Sequence, residues 1–365
     1  MFRASVFFLA GVSSYLVTGW LINAPAIMRA LDIPNERSSH RHPTPRMGGL
    51  GVVAAFVILL PLLWVMLLPD ATNWVFATRF AIALLSYVVI AAVGLVDDLR
   101  RIGALPKYLG QFVASLIALW GGVIFNQMKI PYAGVLHPGI ILGAVLAIIW
   151  LTGFSNFFNF MDGIDGLAGG VGVIYSLALA AVCIGTGHRL LGAGSLMMAA
   201  ACLGFLAHNF PPAKIFMGDV GSLFIGYVLA AFAVLTTNSG ERPAPFIAVL
   251  LIFGSFIYDA VFTLLRRARR GEKLYEAHRS HLYQRLVIAG QSHRRVSLTY
   301  YGLSALLGAG GVAYTFTSDA VRLAILVLAG IALAAFTFYV YWFEAFVAKE
   351  KALYSTKPAA KVVEG

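Results

Sequence analysis

Residues 140–158 read IILGAVLAIIWLTGFSNFF, nineteen consecutive positions without a charged side chain. A helix of that length rises about 28 Å, close to the thickness of a bilayer hydrocarbon core. The stretch therefore predicts a membrane-spanning helix. Ten other stretches of similar length and character predict further spans, at 2–22, 47–69, 78–96, 105–125, 167–186, 190–208, 220–238, 244–265, 298–316 and 320–343.

The composition of the whole chain points the same way. Of its 365 residues, 60% are apolar and 12% are charged, against about 25% charged in an ordinary soluble domain. This excludes a water-soluble globule, and it excludes nucleic-acid binding as the main activity. We predict an all-α, polytopic integral membrane protein with about eleven transmembrane helices, a single domain over 1–343 and a frayed cytoplasmic tail over 344–365.

The distribution of positive charge predicts the orientation. Of the 27 lysines and arginines, 21 lie on the side reached after the odd-numbered spans. The positive-inside rule places that side in the cytoplasm. The N-terminus is then outside, the C-terminus is inside, and the loops 23–46, 97–104 and 266–297 are cytoplasmic.

Five acidic residues fall at cytoplasmic helix ends: Asp97, Asp98, Asp162, Asp165 and Asp219. Ionisable groups close to the membrane usually pair or line a functional cavity, so we expect one site to collect all five. Carboxylates are the ligands that Mg²⁺ prefers. Plainer interpretations stay open, because the adjacent pair could be an interfacial cap and Asp219 could be an ordinary helix N-cap.

Four polar side chains recur every third residue, at Asn156, Asn159, Asp162 and Asp165. On a helix such i,i+3 neighbours form a slowly rotating polar stripe. We expect this stripe to face a ligand. Packing against other polar helices is the alternative.

Basic side chains are concentrated in the loops of the same face. Beside carboxylates and a cation they are suited to clamp phosphate oxygens, although basic loops can also serve topology alone. The candidates are Arg46, Lys214, His278, Arg279, His281 and Arg285.

Five ordered blocks of sequence together resemble the polyprenyl-phosphate N-acetylhexosamine-1-phosphate transferases, a family that includes the phospho-MurNAc-pentapeptide translocase of peptidoglycan synthesis and the initiators of O-antigen and teichoic acid synthesis. The blocks are Pro45-Arg46 with Gly48-Gly49, Gly94 through Asp98, Asn156 through Leu167, Met217 through Ser222, and Asp259 followed by Arg266-Arg267 and His281.

The resemblance implies a single catalytic membrane domain in the bacterial inner membrane, with its active site on the cytoplasmic face. It implies a UDP-N-acetylhexosamine donor, undecaprenyl phosphate as acceptor, UMP as product, and Mg²⁺, for which Mn²⁺ could substitute. A homodimer is compatible with it. A secondary transporter is the alternative, but transporters usually carry repeat-related helix breaks near the midplane, whereas here the acids cluster on one face.

Roles follow from the family's motifs. They imply Asp219 as a magnesium ligand with Asp98 as a second candidate. They imply Asp97 as a catalytic residue, either a base or the acid that positions the nucleophile, with Asp98 supporting it. Asn156, Asn159, Asp162 and Asp165 would contact nucleotide and sugar, and His281 the phosphates. Arg46, Lys214, His278, Arg279 and Arg285 would bind substrate.

One departure from the family pattern concerns the branch. Many relatives carry a His-x-His-His run where this chain has His281-Leu282-Tyr283-Gln284. Together with the segment Pro34-Asn35-Glu36-Arg37-Ser38-Ser39-His40, this departure resembles the O-antigen and surface-polysaccharide initiators of Gram-negative bacteria. We therefore expect turnover of a UDP-N-acetylhexosamine and none of UDP-MurNAc-pentapeptide.

Overall fold

The computed structural model describes residues 2–24, 31–32, 43–67, 73–130, 134–238, 243–273 and 278–355. Most of the predicted basic loop 23–46 therefore lies outside the described residues. The helices are α1 Phe2–Asn23, α2 Gly49–Leu67, α3 Trp74–Arg100, α4 Ala104–Trp120, α5 Gly139–Phe160, α6 Leu167–Gly185, α7 Arg189–Asn209, α8 Asp219–Asn238, α9 Phe246–Ile252, α10 Gly254–Arg269, α11 Leu282–Ile288, α12 His293–Phe316 and α13 Asp319–Ser355.

The only strands among the described residues are two short antiparallel pairs in the connections between helices. β1 (Leu31–Asp32) pairs with β2 (Thr44–Pro45), and β3 (Met128–Ile130) pairs with β4 (Gly134–Leu136). The fold is therefore all-α and polytopic, as predicted.

Nine of the described helices, α1–α3, α5–α8, α12 and α13, are long and apolar enough to cross a membrane. Two predicted spans differ from this pattern. The helix inside 105–125 ends at Trp120 after 17 residues, because Gly121 and Gly122 follow and the chain turns toward β3. The span at 244–265 is broken into α9 and α10, which meet at 81°.

The break between α9 and α10 is stabilised by a tyrosine from α6. The Tyr175 hydroxyl donates to the carbonyl of Phe253 at 3.1 Å and accepts from the N–H of Phe256 at 3.0 Å. Backbone groups freed by a helix break need such partners inside a membrane protein. Sequence hydropathy does not register this bend, because the two helices taken together are apolar enough to count as one span.

Helix α13 also differs from the prediction. It continues to Ser355, so the first part of the expected tail 344–365 is helical. The remaining tail residues lie outside the described part of the chain.

Helix α8 forms the centre of the bundle, and its start is where the polar residues gather. In the most apolar part of α8, 94% of the residues are buried, whereas 11% are buried in the corresponding part of α13. Glycines let two other helices approach this start closely. A Cβ on Gly49 of α2 would lie 2.3 Å from the Cα of Gly221, and one on Gly94 of α3 would lie 2.5 Å from the carbonyl oxygen of Asp219.

Candidate active site

A lysine joins two carboxylates where α3, α4 and α8 meet. The Lys107 ammonium lies 3.0 Å from Oδ2 of Asp97 and makes a short ion pair with Oδ2 of Asp219. The other oxygen of Asp219 accepts from Nδ2 of Asn159 at 3.0 Å. All three charged side chains keep 15–18% of their surface exposed, so the cluster is reachable from solvent.

Asp98 has a different position from its neighbour. Its Oδ1 accepts from the N–H of Asp219 at 3.0 Å, and its Oδ2 accepts from the N–H of Val220 at 2.9 Å. It therefore caps α8 from another helix, and its negative charge lies at the positive end of that helix. Arg46 lies 3.9 Å from the same carboxylate. The capping role expected as an alternative for Asp219 thus falls to Asp98.

Asp162 follows the end of α5 and belongs electrostatically to the same cluster. Burial raises the pKa of Asp162 well above its usual value, the charges of Asp219 and Asp98 raise it further, and Arg46 opposes them. Neighbouring carboxylates that cannot all ionise favourably attract a cation. The negative charge of the site therefore exceeds the positive charge of the described basic side chains beside it.

The arrangement fits a hard divalent cation in its donor chemistry. Asp97 and Asp219 both point oxygens at one positive group, which is the Lys107 ammonium. Within the described ranges, no three His, Cys, Asp or Glu side chains already converge as a metal-binding group. A cation here would therefore take the place of the lysine or bind beside it.

The polar stripe divides at the end of α5. Asn159 faces the cluster and also donates to Oγ of Ser222 at 2.8 Å. Asn156 points elsewhere, because it pairs with the buried side chain of Gln111 on α4. The helix ends at Phe160, so the stripe does not continue on a helix as predicted.

Asp165 does not join the other acids, contrary to the expectation that one site collects all five. Its Oδ2 accepts from the N–H of Ala213 at 3.1 Å, and its Oδ1 lies 3.2 Å from Nδ1 of His293. Its carbonyl accepts from Ser297. Asp165 therefore fastens the turn after α5 to two neighbouring segments.

His281 is held by a buried acid that the sequence analysis quoted without assigning it a role. Nδ1 of His281 lies 3.2 Å from Oδ1 of Asp259, which is fully buried. Asp259 also accepts from the N–H of Leu282 at 2.8 Å and from the Tyr300 hydroxyl. A carboxylate on one imidazole nitrogen fixes the ring and leaves the other nitrogen for a ligand.

The segment that carries His281 packs on the turn that carries Asp162. The Tyr283 hydroxyl donates to the carbonyl of Phe160 at 3.0 Å, and the ring centres of Phe160 and His281 are 6.2 Å apart. A Cβ on Gly163 would overlap the Tyr283 hydroxyl. The imidazole and the acid cluster are therefore parts of one surface.

The remaining predicted basic residues have separate surroundings. His278 stacks near His281, and burial, followed by the charges of His281 and Arg267, lowers the pKa of His278 to about 4. Arg279 is half-buried beside it, and Lys214 is exposed in the connection between α7 and α8.

Arg285 departs from its predicted role. Its guanidinium makes a two-pronged ion pair with Glu344 and lies 4.1 Å from the ring centre of Tyr341. It therefore anchors α13 to the bundle. Its Nε and Nη2 are committed to Glu344, and only the buried Nη1, which has no hydrogen-bond partner among the described residues, is left for a ligand.

Lys107 and Gln111 were missed by the sequence analysis. Lys107 is the one charged residue in the predicted span 105–125, and a charge at that depth is itself a signal of function. Gln111 carries no comparable signal. Its pairing with Asn156 depends on how two helices face each other.

Comparison with known proteins agrees with the resemblance seen in the sequence. Residues 80–237 match the family described as Glycosyl transferase family 4, a range that includes Asp97, Asp98, Lys107, Asp162 and Asp219.

Three relatives cover most of the chain. The decaprenyl-phosphate N-acetylglucosaminephosphotransferase of Mycobacterium tuberculosis is 34% identical over 88% of this chain and 86% of its own. The probable undecaprenyl-phosphate N-acetylglucosaminyl 1-phosphate transferase of Bacillus subtilis is 30% identical over 82% of each. The phospho-N-acetylmuramoyl-pentapeptide-transferase of Levilactobacillus brevis is 31% identical over 81% of this chain and 96% of its own.

These similarities, together with the fold, identify a multi-pass membrane enzyme. The chain belongs to glycosyl transferase family 4.

Proposed function

We propose that the protein transfers N-acetylhexosamine 1-phosphate from a UDP-sugar to a polyprenyl phosphate such as undecaprenyl phosphate. The products are the polyprenyl-diphosphate sugar and UMP. The observation that carries this proposal is that the carboxylates of Asp97 and Asp219 both pair with one cation, the Lys107 ammonium, at the start of α8. The names of the relatives support the substrate classes.

The reaction exchanges one phosphoanhydride for another. An oxygen of the lipid phosphate bonds to the sugar-linked phosphorus, while the bond from that phosphorus to the oxygen of UMP breaks. The electron pair of the broken bond stays on UMP. The main barrier is the approach of two polyanions, so positioning and charge neutralisation supply most of the catalysis.

We assign Asp219 as the principal ligand of Mg²⁺ or Mn²⁺, with Asp97 beside it. When bound, the metal would neutralise phosphate oxygens. Asp98 is a weaker candidate ligand than the sequence indicates, because both its oxygens already accept from backbone N–H groups. Its proposed role is to fix the first turn of α8 and so the direction of Asp219.

Asp97 is proposed to orient the acceptor phosphate. A strong base is unnecessary, because a phosphate monoester with its second pKa near 6 is already mostly dianionic at neutral pH. Lys107 keeps the two carboxylates together before substrate arrives, and its ammonium can then pair with a phosphate oxygen.

The donor is proposed to lie between the cluster and the imidazole. Asn159 and Asp162 would contact nucleotide and sugar, and His281 would donate to a phosphate oxygen. Asp259 positions that imidazole. Arg46, which is close to Asp98, would contribute positive charge at the phosphates.

For the sugar, we propose a UDP-N-acetylhexosamine in place of UDP-MurNAc-pentapeptide. Tyr283 and Gln284 occupy the positions of two missing imidazoles. The Tyr283 hydroxyl donates to the carbonyl of Phe160, and the Gln284 amide, which donates to that hydroxyl at 3.1 Å, has a second N–H for the sugar. Relatives of both kinds share about a third of their residues with this chain. Comparing turnover of the two donors under one condition tests the assignment.

We further propose that the site faces the cytoplasm of a bacterial inner membrane. The charge bias between the two sides supports this orientation. Cysteine labelling tests it: a single cysteine at Gly271 should resist an impermeant reagent in intact cells. Labelling there would reverse the topology.

The decisive experiment for the activity uses purified protein with labelled UDP-N-acetylglucosamine, undecaprenyl phosphate and Mg²⁺. We expect label in an organic-soluble diphosphate lipid and equimolar UMP. Asp219→Asn should abolish both, while Arg322→Gln, which removes a charge away from the site, should not. Exchange of label across vesicles without a covalent product would instead support a transporter.

A further inference from the structure

A cavity opens at the end of the bundle opposite the acid cluster. It has a volume of about 670 Å³ and lies among α2, α3, α7 and α8. Arg79 at its edge and Asp97 in the active site are 18 residues apart on α3, which is about 27 Å at 1.5 Å per residue. The cavity is therefore separate from the catalytic surface.

Most of the cavity wall is apolar and aromatic. Trp64 and Phe80 pack with their ring centres 4.2 Å apart, and Tyr87 and Phe232 form a second ring pair. A volume of this size with apolar walls is typical of a site for a small amphiphile or an acyl chain. A hydrophilic solute would leave its polar groups unpaired against these rings.

The polar groups at the mouth are amides, two guanidinium groups and the imidazole of His188, whose Nδ1 lies 2.9 Å from the Thr186 hydroxyl. The amides are satisfied internally, since Asn238 accepts from the N–H of Asn126 at 2.9 Å and its carbonyl accepts from Gln127 at 3.0 Å. The exposed guanidinium groups of Arg79 and Arg189 have no ion pair or hydrogen bond recorded within the described part of the chain. Two cations that no described carboxylate neutralises therefore border an apolar cavity.

Their placement stands out against the charge distribution of the chain. Only six of the 27 lysines and arginines belong to the side away from the acid cluster, and two of these six line this one cavity. The stem of Arg79 lies beside Gly122, where an added Cβ would come 3.8 Å from its Cδ. Arg79 therefore lies along the cavity rim.

We propose that this cavity is a binding site for an anionic phospholipid of the leaflet opposite the active site. An acyl chain occupies the aromatic cavity, and the headgroup phosphate contacts Arg79 and Arg189. The two positive charges, which no described carboxylate neutralises, favour a headgroup with net negative charge. A zwitterionic lipid would bring a second cation to the same place.

The test is native mass spectrometry of the full-length protein in detergent, titrated with dioleoyl-phosphatidylglycerol or with dioleoyl-phosphatidylcholine. The variants are Arg79→Gln, Arg189→Gln and the double change. Arg322→Gln is the matched control, because it removes the same charge from a residue that pairs with Asp319 at 2.7 Å away from the cavity. Arg79 and Arg189 are exposed, so their replacement by glutamine should not disturb folding.

We expect phosphatidylglycerol to bind the unmodified protein more tightly than phosphatidylcholine. Each arginine contributes about five-fold to the affinity for an anionic lipid, so the double variant should bind about 25-fold more weakly while the control stays unchanged.

Three results would overturn the proposal. The first is equal binding of the two lipids by the unmodified protein. The second is undiminished phosphatidylglycerol binding by the double variant. If that variant also loses a dimer, the occupant of the cavity is a second copy of the chain. The third is equally tight binding of glycerophosphoglycerol, which has the headgroup without acyl chains.

Discussion

Asp97 and Asp98 are adjacent in sequence, but replacing them should have different effects. Asp98→Asn should loosen the first turn of α8, because both carboxylate oxygens of Asp98 accept from backbone N–H groups of that turn. An asparagine has one oxygen and one NH₂ group, so its NH₂ would face a second donor. Asp97→Asn leaves these two hydrogen bonds in place.

The size of the effect follows from the bond that is lost. A hydrogen bond to a charged partner contributes about 1.5–3 kcal/mol. Opening of the turn should therefore become easier by about 2 kcal/mol, or about thirty-fold at 1.4 kcal/mol per factor of ten.

Hydrogen-deuterium exchange of peptides covering 217–224 measures this opening directly. Asp98→Asn should exchange the Asp219 and Val220 amides about thirty-fold faster. Asp97→Asn should exchange like the unmodified protein while losing most of its turnover. Unchanged exchange in Asp98→Asn, or faster exchange in Asp97→Asn, would refute the assignment of Asp98 as the cap.

Other predictions concern the charges around this turn. Asp219→Asn should lower turnover at least about 100-fold, which is the loss typical when one group that stabilises a transition state is removed. Its thermal unfolding should be unchanged. Near-normal turnover at ordinary Mg²⁺ concentration would place the metal ligand elsewhere. Lys107→Met leaves two carboxylates without their shared cation, so Mg²⁺ should raise its unfolding temperature more than that of the unmodified protein or of Lys214→Met, and equal shifts would contradict the site. The pKa of His278 is lowered to about 4 in the folded state from 6.5, so between these pH values the unfolded chain binds more protons and stability falls with falling pH. His278→Gln should reduce that fall in stability, measured by thermal unfolding at pH 7 and pH 4.5. An identical pH dependence would argue against a half-buried imidazole that stays neutral in the folded state.

The sequence alone determined the class of fold and the end of the bundle where the acidic side chains gather. Apolar length is a local property, so each predicted span overlaps a helix or the broken pair α9 and α10. Acids at helix ends are equally local, which is why Asp97, Asp162 and Asp219 could be named in advance. Lys107 carried the same kind of signal, as a lone charge within an apolar segment.

Only the tertiary structure decided which polar groups meet. Neighbours at positions 97 and 98 point in directions about 100° apart on a helix, and the rotation of α3 against α8 decides that Asp98 caps a helix while Asp97 meets Lys107. The same kind of choice pairs Asn156 with Gln111, Asp165 with His293 and Arg285 with Glu344. Hydropathy fixes that a helix lies in the membrane but leaves its rotation open, because rotation is set by packing against neighbours that are distant in sequence.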